Sequence, residues 1–160
     1  MLLVKLLCVG RLRERYYREA VEEYRKRLGA FCRFELEELP EERLPEQPSK
    51  REIDAALARE AEALTRHIPA GAAVCCFCVE GKAFSSEELA ALLGQWRDGG
   101  QGKLCFVIGS SNGISEDFKR RAQARLSVSR MTFPHHLFRV MAVEQLYRAF
   151  TILEGMRYHK

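Results

Sequence analysis

Two periodicities alternate along this chain, and they change where turn-forming residues cluster. Leu2 to Val9 is a nearly continuous apolar run, which predicts a strand covered on both faces. From Arg13 to Leu28 the residues Tyr17, Ala20, Val21, Tyr24 and Leu28 recur at helical spacing, and Gly29 supplies a stop. Arg33 to Leu39 alternates Phe34 and Leu36 with acidic residues, suiting a second strand. Pro40 to Ser49, with three prolines and several acids, predicts the longest loop. Lys50 to His67 reads as a charged helix whose apolar side carries Ile53, Leu57, Ala61 and Leu64.

The second half repeats the alternation. Ala72 to Val79 is a buried strand, and Ser85 to Trp96 a helix opened by the capping box Ser85-x-x-Glu88. The turn Asp98 to Gly102 leads to a strand over Lys103 to Ile108, which runs into Gly109-Ser110-Ser111-Asn112-Gly113. A short helix over Ser115 to Gln123 and a strand over Arg125 to Ser129 follow. A long helix then starts at or near Pro134 and continues to about Glu154. Strands alternating with helices predict an α/β domain with a mostly parallel sheet flanked by helices. No repeat or low-complexity segment interrupts the pattern, so residues 1–160 read as a single domain.

Composition agrees with one compact core, since 47% of the 160 residues are hydrophobic. The opening apolar run is short, contains Lys5 and lacks a cleavage site, and no stretch approaches the roughly 18 apolar residues of a membrane span. Cys8, Cys32, Cys75, Cys76, Cys78 and Cys105 fall in or beside the apolar runs and form no Cys-x-x-Cys pair. They read as small core hydrophobes rather than metal ligands, which fits a reducing, cytoplasmic setting without membrane or metal partners. Charge changes the picture more. Residues 103–160 carry ten Lys/Arg against four acids, a net +6, while the rest of the chain is near neutral. A basic end beside a neutral body points to a polyanionic partner.

In open α/β sheets ligands bind beyond the carboxyl ends of the strands. Two strand-to-helix breaks there could carry chemistry. Gly109 to Gly113 lets backbone approach a ligand closely, or is simply a tight turn. Gly109-x-Ser111-x-Gly113 also matches a hydrolase nucleophile elbow, with Asp117 and His135 or His159 as partners; Asp117, six residues past the serine, is badly placed to orient a histidine. The second break is the loop Arg130 to Phe133, followed by a helix on which His135 and Arg139 share a face. Glu144 and Arg148 form another i,i+4 pair, an ordinary surface bridge by default. The apolar set from Leu137 to Leu153 covers more than one face, as expected of a helix packed against both the sheet and a partner subunit. The tail Arg157-Tyr158-His159-Lys160 has side chains suited to stacking on bases and neutralising phosphates, or is a frayed end.

Taken together, Phe106 to Ser115, Leu126 to His135 and Arg139 through Phe150 to Lys160 resemble one family, the SPOUT-class ribosomal RNA large-subunit methyltransferase H. Val9 to Arg13 and Glu80-Gly81-Lys82 fit as well, so the resemblance spans essentially the whole chain. It implies a SPOUT-type α/β knot, a deep C-terminal trefoil, in a homodimer packed through the last helix and without an appended RNA-binding domain. It implies S-adenosylmethionine as cofactor, surrounded by Phe77, Gly109 and the loop Val128, Ser129, Arg130, Met131, Thr132 and Phe133, with Gly109 leaving room for it. The reaction implied is methylation of N3 of a pseudouridine in 23S rRNA, on the assembled 70S ribosome. His135, Arg139, Tyr158 and His159 are the implied catalytic set, with Tyr158 and His159 positioning the base and Arg139 meeting a phosphate or the developing anion. Two positions depart from the pattern: Ser110 replaces the second of two adjacent glycines, and Phe77-Cys78 replaces an aliphatic-acidic pair. A non-catalytic RNA-binding protein of the same fold is the rival reading, and cofactor binding discriminates the two.

Overall fold

The computed structural model describes residues 1–160. Five strands, β1 (Leu3–Val9), β2 (Arg33–Leu39), β3 (Ala73–Ala83), β4 (Lys103–Ile108) and β5 (Ala124–Ser127), form one sheet in the order β2-β1-β4-β3-β5. Every pair of neighbouring strands is parallel. The helices are α1 (Arg15–Leu28), α2 (Lys50–His67), α3 (Ser86–Asp98), α4 (Glu116–Arg121) and α5 (His135–Leu153).

The continuous apolar runs are explained by cores on both sides of the sheet. Val4, Leu6, Cys8, Leu104, Phe106 and Ile108 face a larger core closed by α1, α3 and α5. The intervening Leu7, Val9, Cys105 and Val107 face a smaller one closed by Ala61 and Leu64 of α2 and Phe118 of α4. All six cysteines are free thiols, and Cys8, Cys32, Cys75, Cys76 and Cys105 are buried in these layers. Burial pushes the thiols of Cys8, Cys32, Cys76 and Cys105 up to about 12, so they behave as the small hydrophobes their placement suggested. No helix is long and apolar enough to cross a membrane.

Helix starts follow their capping chemistry. Ser85 accepts from the Glu88 N–H while the Glu88 carboxylate accepts from the Ser85 N–H, and Ser49 with Glu52 builds the same reciprocal pair on α2. Helix α1 begins at Arg15, two residues later than its pattern suggested, and Glu14 at its N-cap makes no side-chain capping bond. The larger difference lies in β3, which continues four residues beyond its apolar run. Phe77 and Lys82 both register with Leu126, so residues 78–81 bulge out of the ladder toward the carboxyl edge of the sheet. Gly81 allows this, since a Cβ there would lie 2.8 Å from the Leu126 backbone.

The C-terminus is docked rather than frayed. Gly155 (φ +65°) donates to Ile152 O, and the Met156 N–H donates to Thr151 O at 2.9 Å. This pair of bonds turns the tail back along α5.

Candidate functional site

A cavity of about 500 Å³ opens at the carboxyl edge of the sheet, within the range of small-molecule sites. Three segments build it. The β3 bulge contributes Phe77, Cys78, Val79 and Glu80; the turn after β4 contributes Gly109 to Ser111, Gly113 and Ile114; and the loop after β5 contributes Ser127 to Ser129 and Met131 to His135. Phe77 is held in place by Phe106, stacked at 5.6 Å, and by Phe138 edge-on at 5.5 Å.

The loop after β5 is folded by its own serines. The Ser127 hydroxyl donates to Ser129 O at 2.8 Å, and the Ser129 hydroxyl accepts from the Met131 N–H at 3.0 Å. Met131 is 72% exposed at the rim. Of the residues expected around a cofactor, Phe77, Gly109, Val128, Ser129, Met131, Thr132 and Phe133 line this cavity. Arg130 is exposed and forms no part of its wall.

The expected catalytic residues divide into three places. His135 lies on the cavity wall, half-buried and stacked on His136 at 4.3 Å. Burial, and then the neighbouring His136, hold its imidazole below the free value of 6.5, so it is uncharged at neutral pH. Its Nδ1 is buried without a partner. Because the folded protein binds fewer protons here than the unfolded chain, stability should rise with pH across the window just below 6.5. Thermal melts at stepped pH should show this rise in the wild type and a smaller one in His135→Gln.

Arg139 sits elsewhere, with a role that its helix spacing concealed. It is fully buried; Nη1 donates to Glu38 Oε2 at 2.6 Å and Nη2 to Gly10 O at 2.9 Å. A guanidinium so enclosed cannot meet a phosphate in this protomer, and its contacts are those of a brace joining α5 to the ends of β1 and β2.

Tyr158 and His159 lie on a third surface, outside the cavity wall. The Tyr158 hydroxyl donates to Glu144 Oε1 at 3.1 Å, and its ring packs edge-on against Tyr147 and under the Arg148 guanidinium at 4.9 Å. Burial, with bonds to Tyr24 and Glu144, pushes its phenol up, so it stays protonated. Arg148 donates to His159 Nδ1 at 3.2 Å, which leaves Nε2–H to donate to Glu87 Oε1 at 2.7 Å. The Glu144–Arg148 pair, with both side chains largely buried, is therefore the anchor of the tail rather than an ordinary surface bridge.

Much of the cationic excess of the C-terminal third is tied up internally. Lys119 pairs with Glu80 and Glu116, Arg120 with Asp117, and Arg139 and Arg148 as above. Lys103, Arg121, Arg130, Arg157 and Lys160 remain exposed without ion-pair partners, and Arg11 and Arg13 after β1 join them. Sequence reasoning assigned no role to Glu38, Glu41, Glu60 or Glu80. Glu80 lines the cavity two residues beyond Cys78, where the sequence pattern had suggested a carboxylate was lost. The hydrolase reading finds no support, because the Ser111 hydroxyl donates to Glu41 at 3.2 Å and Asp117 pairs with Arg120.

An all-parallel sheet whose carboxyl edge is roofed by a bulge, a glycine turn and a folded-back loop defines an α/β protein with a preformed small-molecule site. The family model described as "Predicted SPOUT methyltransferase" matches residues 2–159. The chain is 43% identical over 158 residues to the ribosomal RNA large subunit methyltransferase H of Caldicellulosiruptor saccharolyticus, covering 99% of this chain and all of that one. It is 41% identical to the protein of the same name from Limosilactobacillus reuteri, over 98% of this chain and 99% of that one. A solved structure described as a probable methylase family protein from Haemophilus influenzae shares the fold, with a TM-score of 0.54 at 10% identity over 98% of this chain and 70% of that one. The chain belongs to the SPOUT methyltransferase family.

Proposed function

We propose that this protein transfers a methyl group from S-adenosylmethionine to N3 of a pseudouridine in 23S rRNA, acting on the assembled 70S ribosome in the cytoplasm. The observation that carries the reading is the cavity itself, because its walls come from the segments that the resemblance assigns to the cofactor. The cavity suits that molecule in kind as well as size. Apolar Phe77, Ile114, Leu126 and Phe138 offer faces for a purine, and the serine-bonded loop offers main-chain groups for its edge. When bound, the cofactor supplies the methyl group. The names of the Caldicellulosiruptor and Limosilactobacillus relatives supply the rRNA substrate.

The protein's share of the chemistry is positioning and proton removal. N3 of the base is a weakly acidic imide that must lose its proton as the methyl group arrives. Of the candidate set we take His135, uncharged and on the cavity wall, as the group that accepts it. Tyr158 and His159, immobilised on α5 and α3 outside this subunit's cavity, hold the base or its neighbours at the cavity of a second subunit, and alignment of base and methyl group provides much of the rate. Arg11, Arg13, Arg130, Arg157 and Lys160 are among the free cations available to rRNA phosphates. The folded ribosome completes the recognition of the target nucleotide. The C-terminal segment threads into the trefoil knot typical of the family. Partly exposed Val140, Tyr147 and Ile152 pack against a second subunit, making the working form a homodimer.

The test is methyl transfer to ribosomes from a strain lacking the modification, with the product nucleotide mapped. Methylation of 70S particles at one pseudouridine is expected, and a paired Tyr158→Phe, His159→Ala variant should lose most of its rate, roughly 100-fold or more. Full activity of that variant refutes the roles given to the tail. Wild-type inactivity on 70S particles with activity on naked rRNA refutes the ribosomal substrate. Absence of S-adenosylmethionine binding at millimolar concentration would favour the non-catalytic RNA-binding protein.

A further inference from the structure

Helix α2 buries a carboxylate for which neither the fold nor the chemistry above has a use. Glu60 is 5% exposed on a face otherwise made of Ala56, Ala61 and Leu64. Burying an ionisable group on such a face is unfavourable unless its oxygens are engaged. Both are. The Ser110 hydroxyl, itself buried, donates to Glu60 Oε1 at 3.0 Å, and the Glu42 N–H donates to Oε2 at 3.0 Å.

Those two donors belong to the acidic loop after β2 and the glycine turn after β4, segments whose other side-chain bond, Ser111 to Glu41, is exposed. We infer that Glu60 is the positioning residue of the cofactor turn, fixing Gly109–Gly113 from behind through the Ser110 hydroxyl. The inference rests on the methyltransferase reading of the cavity. It also accounts for the departure at Ser110. The hydroxymethyl group is turned to Glu60 and makes a bond that a glycine could not.

The geometry explains why the turn needs an external hold. It is closed by a single short main-chain bond, Gly113 N–H to Ser110 O at 2.8 Å, and Ser111, Asn112 and Gly113 are exposed. Few buried contacts stabilise such a segment, and ordering it on ligand binding would reduce affinity. A buried carboxylate tie at its first residue keeps the turn in the ligand-ready shape beforehand. Burial pushes the Glu60 carboxyl up, while the Glu42 N–H and Ser110 hydroxyl act in the opposite direction by bonding to its charged form.

Three variants test this: Ser110→Ala, Glu60→Ala and Glu60→Gln. The glutamine can satisfy both neighbours, its carbonyl accepting from the Glu42 N–H and its amide donating to the Ser110 oxygen. Calorimetric titration with S-adenosylmethionine should give about tenfold weaker binding for Ser110→Ala and Glu60→Ala, and within about twofold of wild type for Glu60→Gln. With rRNA substrate the loss should appear chiefly as a raised KM for the cofactor. Hydrogen exchange of the ligand-free protein supplies an independent readout. The Gly113 amide should exchange faster in the two alanine variants and not in Glu60→Gln. Wild-type binding of S-adenosylmethionine with unchanged affinity and exchange in Ser110→Ala overturns the positioning role alone. Failure of the wild type to bind the cofactor overturns the functional reading and this inference with it. If Glu60→Ala does not fold, Ser110→Ala decides the matter, since it removes only one hydroxyl.

Discussion

Replacing Glu38 with alanine is expected to lower stability by about 3–5 kcal/mol, because it strands a charge that water cannot reach. Arg139 is fully buried, and its neighbours are few: Glu38 Oε2 at 2.6 Å and Gly10 O at 2.9 Å. The same Glu38 oxygen accepts from the Leu12 N–H at 2.6 Å, so one carboxylate holds the first turn of α5 and the exit of β1 together. Without it the guanidinium keeps one carbonyl, and the segment from Gly10 to Leu12 loses its anchor. The double variant Glu38→Ala, Arg139→Met should recover much of the loss, since it removes both charges and leaves only the Leu12 N–H and Gly10 O without these partners. Urea unfolding with a conserved m-value measures this. A double variant as unstable as the single one would show that packing, and not the charge, is at stake.

Gly109→Ala should damage the site more than any other single methyl group. A Cβ at that position would lie 2.2 Å from Gly113 O and 2.6 Å from Ile114 Cγ1, so the turn must open to accept it. The strain is local to the sheet edge. The fold should survive with a loss of about 1–3 kcal/mol, seen as a drop of a few degrees in Tm. Cofactor affinity should fall by roughly tenfold or more, because the opened turn forms one wall of the cavity. Unchanged affinity by calorimetric titration would mean that the turn adapts freely and is not a shaped wall. The glycine also has a reason that its resemblance did not suggest: its missing side chain makes room for the turn's own backbone.

The elements were almost all legible in the sequence, because two-sided burial and capping residues leave strong local signals. Leu3–Val9 and Lys103–Ile108 were visible as apolar runs, and α3 through Ser85 and Glu88. The extension of β3 through residues 78–83 was not legible, since Glu80, Gly81 and Lys82 interrupt the apolar run. The cavity-lining positions could be carried over from motifs because each lies at the end of a strand. What no local pattern encodes is which charges meet across the fold. Arg139 and His135 share a helix face, yet one lines the cavity and the other is a buried brace. Glu38 and Glu60 looked like ordinary acids of a charged strand and helix. Their partners are 101 and 50 residues away in sequence.

The sheet order has a consequence for how the chain is made. Strand β1 takes β2 on one side as soon as residue 39 is available, but its other edge waits for β4, which ends at Ile108. At a synthesis rate of about 5–20 residues per second, that edge stands open for several seconds on every nascent chain. Its side chains are apolar on both faces, the kind of strand most prone to pair with a neighbour. The seal on α1 and α3 comes later still, from α5, after nearly the whole chain has been made. Crowded translation should therefore limit the yield of this protein more than its final stability does, and slowing synthesis before residue 103 should worsen it.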